Sequence, residues 1–86
     1  ARIIVKFFDP TGSWTWYATE YDPEHQEFFG YVSGFDNEMG YFTLEELQSV
    51  KGAFGLGIER DLYFTDKTVK DIPKEHMPRF MLKAEA

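Results

Sequence analysis

The sequence predicts an α+β domain: an antiparallel meander sheet of four to five strands with one or two short helices packed on one face, in the order β-β-β-β-α-β-α. Three observations lead there. Runs of β-branched and aromatic residues are separated by short turns rich in Asp, Pro, Gly and Asn, so consecutive strands pair with one another. A capping box after the fourth run announces a helix. One more alternating run and a shorter helical stretch follow before Pro73.

Ile3 to Phe8 read as the first strand, and Asp9-Pro10-Thr11-Gly12-Ser13 as a turn in which Asp bonds the backbone ahead, Pro fixes φ and Gly permits positive φ. Trp14 to Tyr21 form a second strand. Its alternation puts Trp14, Trp16 and Ala18 on one face and Thr15, Tyr17, Thr19 and Tyr21 on the other. A polar turn leads to a third strand, Glu27 to Phe35, with Phe28, Gly30, Val32 and Gly34 opposite Phe29, Tyr31, Ser33 and Phe35. Glycine at alternate positions there predicts a bulky neighbour over that face, a tryptophan ring being the candidate. Asp36-Asn37-Glu38 turns the chain, and Met39 to Phe42 pair back as a short fourth strand.

Thr43-Leu44-Glu45-Glu46 is the capping box: the Thr43 hydroxyl accepts from the Glu46 amide while the Glu46 carboxylate reaches back. The helix runs from Leu44 to Val50, with Leu44, Leu47 and Val50 towards the sheet and Gly52 suited to the C′ position. A glycine-rich loop, Ala53 to Gly57, precedes a fifth strand from Ile58 to Phe64 with Ile58, Leu62 and Phe64 inward. Thr65 or Asp66 then caps a short helix carrying Val69 and Ile72. The domain is thus expected to span residues 1–72, with 73–86 as a C-terminal tail.

Composition narrows the chemistry. Eighty-six residues make one domain, and aromatics are 19% of them, enough to fill a thin core because each buried ring removes about 150–250 Å² from water. The absence of Cys excludes disulfides, thiolate zinc sites and cysteine nucleophiles. It fits a cytoplasmic protein, and no apolar run is long enough to span a bilayer. Ala1 followed at once by a strand reads as a cut made within a longer chain. The charge is uneven: residues 1–51 carry nine acids against Arg2, Lys6 and Lys51, a net −6, while residues 52–86 carry six acids and six bases. The acidic front half repels phosphate backbones, so nucleic acid is disfavoured as a partner.

Three ordered blocks carry a resemblance. They are Lys6-Phe7-Phe8 with Pro10 and Trp14-Thr15-Trp16-Tyr17; Phe28-Phe29-Gly30 with Glu38, Gly40-Tyr41-Phe42, Leu44 and Leu47; and Gly55-Leu56 with Ile58 to Phe64. Across residues 3–72 the chain resembles the domain-of-unknown-function family 2958, small proteins of bacterial plasmids, integrative elements and phages. The resemblance implies a bacterial mobile-element setting and an intracellular site, and it supplies no activity. Members carry further residues before the first block, in keeping with a cut before Ala1.

No catalytic arrangement stands out, so the expectation is a protein that is not an enzyme and needs no cofactor. Glu59 and Asp61, two apart on the fifth strand, share a face and are the best carboxylate pair; pairing with neighbouring Arg or Lys is the commoner use of such residues. Asp22, Glu24, His25 and Glu27 form an oxygen-rich turn that matches no calcium loop. Aromatics on the second and third strands resemble base-stacking platforms, but acids surround them. Two aromatic sheet faces exceed what two short helices hide, so either the tail or residues before Ala1 cover the second face, or it is open to a partner. Trp16, Tyr17, Tyr21, Tyr31, Asp36 and Glu38 are the expected protein-binding surface, for a host protein or for a second copy in a homodimer.

Overall fold

A computed structural model describes residues 1–50 and 56–81. It contains one five-stranded antiparallel sheet made from β1 (Val5–Phe8), β2 (Thr15–Asp22), β3 (Glu27–Ser33), β4 (Asn37–Thr43) and β5 (Glu59–Arg60), in the order β4-β3-β2-β1-β5. Helix α1 (Leu44–Ser49) follows β4 directly, and two short 3-10 turns, Val69–Asp71 and Lys74–His76, come after β5. The antiparallel meander sheet, the short helices and the element order are those the sequence predicts. Gly52, assigned to the helix C′ position, lies outside the described residues.

The local chemistry works where it was legible. Asp9 Oδ1 accepts from the Thr11 amide at 2.9 Å and from its hydroxyl at 3.0 Å, closing the β1–β2 turn. Thr43 Oγ1 accepts from the Glu46 amide at 3.0 Å and donates to Glu46 Oε1 at 3.1 Å, so the capping pair is joined through its side chains. The ring of Trp14 lies over Gly34, where any Cβ would collide with it. Gly30 answers to a different constraint: a Cβ there would strike the Tyr17 carbonyl oxygen across the ladder.

Each sheet face carries its own core. On the first, Val5, Trp16, Ala18, Phe28, Phe42 and Leu47 bury one another under α1. Phe28 stacks on Phe42 with ring centroids 5.4 Å apart, and Trp14 on Trp16 at 5.9 Å. On the second, Ile3, Tyr17, Tyr31, Ile72 and Met77 form a separate cluster. Burying a side chain of this size contributes about 1.5–3 kcal/mol. The two helical stretches therefore lie on opposite faces, where the sequence placed them on one.

Three further elements differ from expectation. Residues 73–78, read as tail, pack tightly on the second face, with Met77 and Pro78 buried. The fifth strand is only Glu59–Arg60. Asp61 Oδ1 accepts from the Tyr63 amide and the chain turns there, leaving Leu62 exposed instead of inward. The register of β2 against β3 shifts between Ala18 and Glu20. This bulge rotates the end of β2, so Tyr21 leaves the face of Tyr17 and packs on Phe28 with centroids 4.6 Å apart.

Candidate functional site

Register alone lays out the second face as cross-strand rows on β4, β3 and β2. The inner rows are Asn37–Ser33–Thr15 and Met39–Tyr31–Tyr17; beyond the bulge come Tyr41–Phe29–Glu20 and Thr43–Glu27–Asp22. The C-terminal segment covers the inner rows. Asn37 Nδ2 donates to the Glu75 carbonyl at 2.6 Å and to the Met77 carbonyl at 3.1 Å, and its Oδ1 accepts from Ser33 at 2.8 Å. The Tyr17 hydroxyl is hydrogen-bonded to His76 Nδ1 at 2.7 Å.

These anchors sit in a partly dry setting. Burial, reinforced by the carboxylates of Glu75 and Asp61, pushes the Tyr17 phenol up to about 12. Burial likewise holds the His76 imidazole below its ordinary value, with Glu75 opposing and Lys6 adding to the effect. Lys6 Nζ lies 5.5 Å from the centre of the Tyr17 ring and 5.1 Å from that of Phe64, and pairs with Asp61 Oδ2 at 3.3 Å. Among the candidate carboxylates, Asp61 is thus engaged by Lys6 across β1 and by the Tyr63 amide.

The six residues expected to form one binding surface do not come together. Trp16, Tyr17 and Tyr31 are 6%, 0% and 5% exposed, which corrects their assignment to an open face. Trp16 belongs to the core under α1 and the two tyrosines to the core under the C-terminal segment. All three stand on the central strands β2 and β3, where α1 covers one face and the C-terminal segment the other. Tyr21 is exposed but sits on the first face at the far end of β2. Asp36 lies in the β3–β4 turn and Glu38 near the start of β4. There they line an open groove of about 620 Å³ with Ser13, Glu75, His76 and Arg79.

What stays open on the second face is the outer half. Phe29 and Tyr41 pack ring to ring at 4.9 Å, Tyr41 is 71% exposed, and Met39 is partly exposed beside them. Glu20, Asp22 and Glu27 occupy the same rows and share a shallow hollow of about 190 Å³ with Phe29 and Tyr41. Alternation along the third strand already put Phe29 on this face. Met39 and Tyr41 were missed as surface because β4 was read only as a pairing strand. Other exposed rings include Phe35, edge-on to Trp14 at 5.3 Å, Tyr63 after β5 and Phe80 in the C-terminal segment.

The oxygen-rich β2–β3 turn is explained without an ion. Asp22, Glu24 and His25 bring ligand atoms within 4.8 Å of one another, all exposed. Yet Asp22 Oδ1 accepts from the Glu24 amide at 3.0 Å and Oδ2 contacts His25 Nδ1 at 2.6 Å. That contact holds the Asp22 carboxyl below, and the His25 imidazole above, their ordinary values. Among the described residues no helix is long and apolar enough to cross a membrane.

Comparison with curated proteins and with solved structures finds no match. The profile of a family described as "protein of unknown function (DUF2958)" matches residues 2–71, most of the length of the chain and every strand of the sheet. The chain belongs to the DUF2958 family.

Proposed function

We propose that this protein is a small, non-enzymatic protein-interaction module, and that its contact surface is the outer half of the second sheet face: Phe29, Met39 and Tyr41 with the carboxylates of Glu20, Asp22 and Glu27. One observation carries the reading. An aromatic pair and a methionine stay accessible on the same sheet face as the buried rings of Tyr17 and Tyr31, and aromatic rings dominate binding hot spots. The setting that the family resemblance implies supports reading it as a cytoplasmic protein of a bacterium that carries a plasmid, integrative element or phage. There the partner is a host protein and the process is the countering of host defence. A carboxylate-dependent reaction at Glu59 and Asp61 has less support, because Asp61 is committed to Lys6 and Tyr63.

The test is a paired capture experiment with Met39→Ser/Tyr41→Ser against the parent. The double variant should change stability by no more than about 0.5–1 kcal/mol, as surface substitutions do. It should lose a partner that the parent captures from bacterial extract and that rebinds the parent as a purified protein. Retention of that partner by the folded variant would refute the assignment of the surface.

A further inference from the structure

The proposed surface ends at a strand that no described residue pairs on its outer side. β4 is the outermost strand, seven residues long, and its register with β3 runs without a break. Sheet edges in monomeric proteins are normally blunted by Lys, Pro, a bulge or a very short strand. β4 has none of these; its sole charge is Glu38, and at its centre Gly40 faces open space. The opposite edge, β5, is two residues long. The backbone of β4 is therefore the side of the sheet able to accept another strand.

Charge selects which strand. From Phe7 to Val50 the chain holds nine carboxylates and neither Lys nor Arg. Of these, Asp36 precedes β4, Glu38 lies on it, Glu27 sits opposite Thr43, and Glu45 and Glu46 open the helix that follows. Elsewhere Lys6 pairs with Asp61 and Arg2 with Asp66, while Arg79 adjoins one end of this edge, in the groove of Asp36 and Glu38. A second copy would bring the same edge, in which carboxylates outnumber the one adjoining base, Arg79, and a nucleic acid its phosphates; both are disfavoured. A cationic side chain gains twice at this edge, from the carboxylates and from the faces of Tyr41 and Phe29.

We infer that β4 receives an extended, lysine- or arginine-rich segment of the partner protein, which adds as a sixth strand. Its alternate side chains lie over Met39 and Tyr41 and meet the surrounding carboxylates. The inference rests on the interaction surface proposed above and names the chemistry of its partner.

The experiment titrates the ¹⁵N-labelled protein with three capped octapeptides: valine alternating with lysine, valine alternating with glutamate, and a lysine peptide with proline at alternate positions. The valine–lysine peptide should shift amides of residues 37–43, bind more tightly as salt is lowered, and lose roughly five- to ten-fold in affinity to Glu38→Lys. The proline peptide keeps the charge but cannot pair as a strand, and should bind far more weakly. Glutamate and lysine peptides acting alike, shifts away from β4, equal binding of the proline peptide, or a concentration-dependent dimer through β4 would each overturn the inference. Those outcomes leave the surface itself standing if Met39→Ser/Tyr41→Ser still abolishes capture of a reconstituted partner. Loss of the inference together with retention of that partner by the double variant removes both.

Discussion

The inner and outer halves of the second sheet face are built from the same residue types and end differently. Both set aromatic rings on β3 and neighbouring strands in cross-strand register: Tyr31 beside Tyr17 in one half, Phe29 beside Tyr41 in the other. The inner pair is buried, whereas Tyr41 remains 71% exposed. The difference lies in what arrives on top. Residues 69–77 are pinned over the inner rows by Asn37 and His76, while Glu20, Asp22 and Glu27 occupy the outer rows, where covering would cost the desolvation of three carboxylates. An aromatic residue on a strand thus marks either core or contact surface, and its polar neighbours in the same row decide which.

The sharpest way to break this comparison is Tyr17→Ala. It empties a fully buried site and strips His76 of its partner, so stability should fall by about 3–5 kcal/mol in chemical denaturation. A loss below about 1 kcal/mol would mean that the inner half is no more core than the outer. Next comes Asn37→Ala, which leaves two carbonyls of the C-terminal segment without their donor. It should cost about 1–3 kcal/mol and speed amide exchange across residues 73–78 more than across β3, measured by mass spectrometry.

Acid should act in the same place and more gently, since His76 is only half buried. Its folded pKa lies below 6.5, so the unfolded chain takes up the proton first as pH falls. The stability contributed by neutral His76 is therefore complete above that value and lost as pH drops through it towards the folded value. Protection of the amides at 73–78, taken relative to the intrinsic exchange rate at each pH, should fall as pH drops through and below about 6.5, and His76→Gln should flatten the response. His25 runs the other way: raised by Asp22, it contributes stability that is present in acid and lost as pH rises. An acid response that survives His76→Gln would locate the sensitivity outside the inner half.

Of the surface proposed for binding, the acids were legible in the charge distribution and Phe29 in the alternation of its strand. Tyr17 and Tyr31 are on the face that alternation assigns them, but cover by the tail and an open surface are equal solutions in the sequence, and the structure takes the first. Tyr21 was placed on the wrong face, since a bulge moves one residue without leaving a mark in the alternation of Trp14 to Tyr21.

By itself the sequence determined the meander, the Asp9 turn, the Thr43–Glu46 cap and the seat of a tryptophan over a strand glycine. Most of these are decided by residues within a few positions of one another, where alternation and backbone hydrogen bonding leave few solutions. Only the tertiary structure decided which half of the second face is closed. The contacts that close it join residues 38, 40 and 59 positions apart, between side chains that belong to no shared local pattern. Their pairing is selected by shape and by the need to satisfy polar groups brought together when the C-terminal segment docks.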